Sequence, residues 1–356
     1  MNADLRWMEC ALRLGRRALG TTAENPPVGC VIVKDGRLLG VGWTQPRGRP
    51  HAETEALAMA GRGARGAVAY VTLEPCAHQG RTGPCAEALV NAGIARVVTA
   101  IEDPDPRVSG GGHAILTAAG IPVETGLCAA EARHDLAGFF KRITQKRPYV
   151  TLKIGVSADG KISAGPGLQT AITGPEVKSR VHLMRAQSDA ILVGLSTVLI
   201  DDPELTCRLP GMEERSPIRI VADTRLSIPS KAKLVKTAGQ VPVWILSTRK
   251  GSAGTGIRVI DCRQTPRGWV DFTDALQRLG ERGINRLLVE GGSHISHSFL
   301  EADLVDEVQL FQSPMVIGPQ GTDAIADMPL SRLDTRFKHS AKETLGTDTL
   351  TVYERR

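Results

Sequence analysis

The chain's 356 residues exceed what one ordinary core holds and suit two domains. Apolar residues make up 42% and charged residues 23%, as in globular proteins, while aromatics at 4% are too few for a single-strand stacking surface. The net charge of +6 is spread without a dense Lys/Arg block, which favours an arginine-rich enzyme with anionic small-molecule ligands over a nucleic-acid binder.

Asp4 to Leu19 reads as an amphipathic helix, with Leu5, Met8, Ala11 and Leu12 on one face and Gly20 as its stop. Charges inside this segment argue against a signal peptide. "VGCVIVKDGRLLGVGW" reads as a hairpin turning at Asp35-Gly36. "HAETEALAMAG" is a helix after Pro50, and "GAVAYVTLEP" a strand. "GPCAEALVNAG" is a helix with Pro84 in its first turn and Gly93 at its end. "RVVTAIED" is a strand, followed by the loop "PDPRVSGGG" and a helix to Ala119. A polar connection at Gln145 to Pro148 separates domains 1–146 and 147–356. The second half begins with "YVTLKIGVSADGKIS". Strands follow at "DAILVG", "PIRIVAD", "VPVWILS", "IRVIDC", "RLLVEGG", "DEVQLFQSP" and "TLTVYER". Helices are expected at Pro175 to Ala186, Phe272 to Arg282 and Ser293 to Ala302. Alternating strands and helices make both halves α/β, with separate cores.

The seven cysteines are sparse and odd in number, which argues against a secreted disulfide framework and for a reducing cytoplasm. No apolar run could span a bilayer, and no membrane association is expected. Cys76 and Cys85, each preceded by proline, combine with His51-Ala52-Glu53 upstream to offer two thiolates, one imidazole and a carboxylate. A catalytic zinc takes three such ligands, keeps a fourth position for water and lowers that water's pKa to about 7. Glu53, two residues from His51, can reach that water without ligating and can shuttle its proton. Zinc deaminases combine His-x-Glu with Pro-Cys and a second cysteine, but there two residues separate the cysteines; here eight do. A closed structural site with His78 as fourth ligand, or two unrelated thiols, is the competing reading. A deaminase of cytidine or tRNA with an attached binding domain is another.

"NPPVGCVIV", "HAE", "TLEPCAHQGRTGPC", "AGIARVV" and "DPDPRVSGGG" together resemble the deaminase half of the bifunctional RibD family of riboflavin biosynthesis. "RPYVTLK", "SADGKI", "DAILVG", "TVLIDDPELTCR" and "VEGGS" continue the resemblance through nearly the whole chain. It implies a cytidine-deaminase-like three-layer domain followed by a dihydrofolate-reductase-like domain. The first would remove the 2-amino group of a phosphorylated diaminopyrimidinone riboside, using one zinc per chain. His51, Cys76 and Cys85 match the zinc ligands and Glu53 the proton shuttle. Asn25, His78, Arg81 and Asp103 match substrate-binding positions. Arg81 stands where the family usually has lysine, Asp105 where asparagine is usual, and Thr44 where histidine is frequent. Read without the resemblance, Asn25 is a turn residue and Asp103 a strand-end cap.

In the second half, "LLVEGGSHISHSFL" reads as a strand, a Gly-Gly turn and a helix whose N-terminus could take a phosphate. Arg185 and Arg208 fall at element ends, and Lys153 and Asp159 near the ends of a strand and a turn. The resemblance implies NADPH-dependent reduction of the ribosyl group to ribityl. Gln169, Arg185, Leu205, Arg208 and Glu290 match substrate positions. Val156, Ala171, Thr197, Asp201, Thr224, Gly292, Ser293 and His294 match cofactor positions. Lys153 is expected to be catalytic beside the reacting sugar. "QTAIT" departs from the usual "SxWIT", so Gln169 replaces a serine and Ala171 a tryptophan. A homo-oligomer is also expected from the family.

Overall fold

The computed structural model describes residues 3–77, 83–106 and 108–356. The chain divides into two compact units, Met1–Lys146 and Arg147–Arg356.

Among the described residues, the first unit holds one five-stranded sheet. Its strands are β1 (Gly29–Lys34), β2 (Arg37–Trp43), β3 (Val68–Val71), β4 (Arg96–Thr99) and β5 (Val123–Thr125), in the order β2-β1-β3-β4-β5. The β1–β2 hairpin turns at Asp35 and Gly36, both at positive φ, as the sequence predicts for Asp-Gly. β3, β4 and β5 are parallel. The helices are α1 (Ala3–Arg16), α2 (Ala52–Ala60), α3 (Cys85–Asn91), α4 (Gly111–Ala118), α5 (Ala129–Asp135) and α6 (Ala137–Gln145). Gly29 meets α1, where an added Cβ would lie 1.9 Å from the Ala11 carbonyl oxygen; Gly42 meets α2 at Ala52 O in the same way. Gly29 and Gly42 pair with Trp43 and Cys30, so they point to opposite faces. The sheet is therefore sandwiched, with α1 and α5 on one side and the mutually packed α2, α3 and α4 on the other. Met8, Ala11 and Leu12 of α1 enter the core with Cys30 to Val33 of β1.

The second unit holds eleven strands among the described residues, nine of them in one sheet. Its strands are β6 (Tyr149–Val156), β7 (Lys161–Ser163), β8 (Ala190–Gly194), β9 (Ile218–Ala222), β10 (Val243–Ser247), β11 (Ile257–Asp261), β12 (Arg286–Val289), β13 (Glu307–Gln312), β14 (Thr322–Asp323), β15 (Phe337–Leu345) and β16 (Asp348–Arg355). The order is β11-β10-β9-β8-β12-β6-β13-β16-β15, with β7 and β14 pairing separately. From β11 to β13 all pairs are parallel; β16 and β15 add an antiparallel edge. Helices α7 (Pro175–Ala186), α8 (Leu195–Asp201), α9 (Lys233–Lys236), α10 (Phe272–Glu281), α11 (Ser293–Glu301) and α12 (Arg332–Arg336) complete the unit. Both faces of the sheet are covered: Leu192 and Val289 pack in one core, Ile191 and Leu288 in the other. This is why β8 and β12 read as continuous apolar runs in the sequence. Lys153 was expected near a strand end; it is the fifth of the eight residues of the central strand β6.

One polar tie fixes α1 against the first sheet. Asp4 accepts hydrogen bonds from Arg96 Nη2 at 2.8 Å and from the Tyr70 hydroxyl at 2.5 Å. The Arg96 guanidinium, then Tyr70, holds the Asp4 carboxyl below its usual value. A carboxyl lowered in the fold contributes stability that is fully present above its unfolded pKa and is lost as pH falls through the folded value. Asp4→Asn is therefore expected to cost about 1.5 kcal/mol near neutrality, with the gap closing in acid below the usual carboxylate range. Denaturant unfolding of both proteins across that range checks this; a gap independent of pH would contradict it.

Candidate active sites

In the first unit, the C-terminal ends of β3 and β4 meet the N-termini of α2 and α3. His51 is the N-cap residue of α2, and Cys85 opens α3 after Pro84. Cys76 lies just beyond β3. Their ligand atoms all lie within 4.8 Å of one another. His51 Nδ1 is 3.3 Å from Cys85 Sγ and 3.7 Å from Cys76 Sγ. Roughly 3.5 Å is the edge expected between N and S donors of a tetrahedral zinc site, so the donor set fits that metal. The Cys85 backbone N–H donates to Cys76 Sγ at 3.3 Å. The Cys85 thiol, and after it His51 and that backbone N–H, hold Cys76 as a thiolate with its pKa down to about 4, despite burial.

Glu53, the second residue of α2, is buried, and burial pushes its pKa up to about 7. A cavity of about 410 Å³ is lined by Asn25, His51, Glu53, Cys76 and Asp103 together. Asn25 packs against Gly48, where a Cβ would lie 1.9 Å from Asn25 Nδ2. Asp103 is buried, and burial first, then neighbouring carboxylates, raises it to about 7. Its Oδ1 also accepts from the Asp105 N–H at 2.8 Å, a turn bond four residues beyond the end of β4, where the sequence reading had a strand-end cap. Thr44 lines the cavity but is tied elsewhere: its hydroxyl donates to Pro26 O and accepts from Val28 N–H. His78 and Arg81 lie outside the described residues.

Four charged residues of the cavity wall escaped the sequence reading: Glu24, Arg49, Glu74 and Arg142. Glu74 is a buried carboxylate that accepts backbone N–H groups of Asp103, Gly110, Gly112 and His113. It thereby clamps the "DPDPRVSGGG" loop and the start of α4 to the strand end that carries Cys76. Gly112 permits this approach, since a Cβ there would meet Pro75 O at 1.9 Å. The signal was in the sequence as "LEPC", but a carboxylate before Pro-Cys carries no meaning until the loop it binds is known.

In the second unit Glu290, Val156, Thr224 and the start of α11 lie at the C-terminal ends of parallel strands, where open α/β sheets bind ligands. Glu290 follows β12 and takes a two-pronged bond from Arg185, Nε to Oε1 at 2.8 Å and Nη2 to Oε2 at 3.0 Å. Lys153 Nζ stands 4.0 Å from Glu290 Oε2. Burial lowers the Lys153 pKa, and Glu290 opposes this. Arg185 Nη1 also donates to Thr206 O, which anchors the segment carrying Leu205 and Arg208. Leu205 is buried at positive φ; Arg208 is exposed and bonds Glu204 and Thr206. Thr197 and Asp201 lie on α8, directly after β8, and Thr197 Oγ1 neighbours Gly292. Thr224 follows β9, and its carbonyl accepts from Ser247 and Thr248. Val156 ends β6, while Gly292, Ser293 and His294 begin α11. Gln169 and Ala171 are exposed in the segment between β7 and α7.

Residues 148–351 match the RibD C-terminal domain, and residues 1–101 match the cytidine and deoxycytidylate deaminase zinc-binding region. The riboflavin biosynthesis protein RibD of Escherichia coli is 41% identical over 97% of both chains, and that of Aquifex aeolicus 38% identical over 99% and 98%. The chain belongs to the RibD family. The solved structure of Acinetobacter baumannii RibD superposes with a TM-score of 0.88 at 36% identity, covering 99% of each chain. A Thermotoga maritima structure, described as a diaminohydroxyphosphoribosylaminopyrimidine deaminase and 5-amino-6-(5-phosphoribosylamino)uracil reductase, gives 0.88 at 32% identity, again covering 99% of each. The fold is accordingly a cytidine-deaminase-like domain followed by a RibD reductase domain. The protein is a bifunctional, zinc-dependent deaminase and reductase of riboflavin biosynthesis that uses a nicotinamide cofactor. No described helix is long and apolar enough to cross a membrane.

Glu74→Gln leaves two of the four clamped N–H groups facing an amide NH2, and is expected to destabilise the first unit by about 3 kcal/mol. Amide exchange at Asp103, Gly110, Gly112 and His113 should quicken, while exchange in β8 and β12 stays unchanged. Unaltered exchange at the four amides would contradict the clamp.

Proposed function

We propose that residues 1–146 deaminate 2,5-diamino-6-(5-phosphoribosylamino)pyrimidin-4(3H)-one, and that residues 147–356 reduce the ribosyl group of the product to ribityl with NADPH. The convergence of His51, Cys76 and Cys85 beside buried Glu53 is the observation that carries the deaminase reading. Those three residues would hold zinc, which when bound supplies a Lewis acid and hydroxide at neutral pH. Glu53 takes the proton of the attacking water and gives it to the departing 2-amino nitrogen, so that C–NH2 becomes C=O and ammonia leaves. Its raised pKa suits both halves of that exchange. Asn25 and Asp103 orient the pyrimidine from the cavity wall, with His78 and Arg81 joining from the loop between the cysteines.

In the second unit, Arg185 and Arg208 receive the sugar phosphate, with Leu205 and Gln169 beside the substrate. Glu290 orients Arg185 and Lys153. Hydride addition to C1 of the ring-opened imine requires one proton on nitrogen, and Lys153, with its lowered pKa, donates it. Thr197, Asp201, Thr224, Val156, Ala171 and the 292–294 turn form the cofactor side of the cleft. NADPH is the form expected from the family resemblance.

A coupled assay tests this reading. The diaminopyrimidine alone should yield ammonia and the aminouracil; with NADPH the ribityl product should appear. Glu53→Ala should slow the first step by about 10²–10⁴-fold while still reducing supplied aminouracil intermediate. Deamination of cytidine with none of the diaminopyrimidine would overturn the substrate assignment.

A further inference from the structure

The deaminase cavity poses an electrostatic problem for the substrate proposed above, on which this inference rests. Glu24, Glu53, Glu74, Asp103 and Asp105 all line it. A phosphate dianion entering beside so many carboxylates needs cations held in the same wall. Among the described residues, Arg49 and Arg142 are the arginines that line it, and no lysine does. They come from separate elements. Arg49 lies two residues before His51, on the metal side. Arg142 projects from α6, and its Nη2 donates to the Glu24 carbonyl oxygen at 2.6 Å, next to Asn25. Both are half-buried. Its guanidinium carbon also stands 5.8 Å from the Phe139 ring centroid, and Phe139 is another wall residue. Arg142 is thus held on two sides in the wall that Asn25 shares, at a place fixed by the fold.

We propose that Arg142, together with Arg49, forms the phosphate subsite of the deaminase unit and sets its preference for a phosphorylated riboside. Guanidinium groups suit this role because they offer paired donors to phosphate oxygens. Arg49 and Arg142 belong to the first unit and Arg185 and Arg208 to the second, so each unit reads the phosphate with its own arginines.

The test compares the diaminopyrimidine riboside phosphate with the same compound after enzymatic removal of its phosphate, in wild-type, Arg142→Gln, Arg142→Lys and Arg49→Gln. Glutamine keeps an N–H for the Glu24 carbonyl and protects the fold. Wild-type should favour the phosphorylated compound. Arg142→Gln and Arg49→Gln should each raise KM for it by about tenfold or more, leaving the dephosphorylated compound unaffected and zinc at one per chain. Arg142→Lys should recover part of the loss. Equal loss on both compounds, or a preference that survives both glutamine variants and vanishes in Arg81→Ala, would overturn the subsite. No ammonia from either compound with wild-type would instead overturn the functional reading beneath it.

Discussion

Three soft donors meeting at one point are the constraint on which the first unit is organised. His51, Cys76 and Cys85 come from a helix N-cap, a strand end and a helix start. No single element could present them together. Two close backbone approaches set the elements around them: Gly42 lets α2 sit on β2, and Gly112 lets α4 press on Pro75. Glu53 then falls in the first turn of α2, buried, facing the same cavity as His51 and Cys76. Burial that would be a cost to an ordinary carboxylate here raises its proton affinity into the working range. The clamp of Glu74 on the 103–113 segment joins the metal side of the cavity to its far wall.

The second unit solves a different problem with a different device. A parallel sheet buried on both faces leaves its C-terminal edge as the place where polar side chains can converge. Glu290 and Arg185 form a two-pronged pair there, and Lys153 reaches toward it from inside the central strand. A buried charge pair of this kind is weak evidence for stability, since desolvation offsets much of its attraction. Its value lies in orientation: the same arginine also holds the carbonyl of Thr206, and so the segment before Arg208.

Much of this was legible in the sequence because the signals were local. The Asp35-Gly36 turn demands positive φ, and both residues have it. The apolar runs at β8, β10 and β12 fit a sheet covered on both faces. His-x-Glu and the paired Pro-Cys announced the donors. What stayed hidden depended on distant partners. β15 alternates weakly and lies exposed at an edge, so nothing in its residues marks a strand. Helices α5 and α6 were not read, and with α6 went Arg142. Lys153 was placed near a strand end; it lies inside β6, where Glu290, directly after the neighbouring β12, is its ion-pair partner. Thr44 is occupied by Pro26 and Val28, a use that no motif encodes.

The most direct measurement is X-ray absorption at the zinc edge of the isolated full-length protein, with metal content determined in parallel. One zinc per chain is expected, ligated by one imidazole nitrogen and two thiolate sulfurs, with a non-protein oxygen in the fourth position. A second imidazole or a third sulfur would mean a closed structural site, and would contradict the assignment of this centre to catalysis.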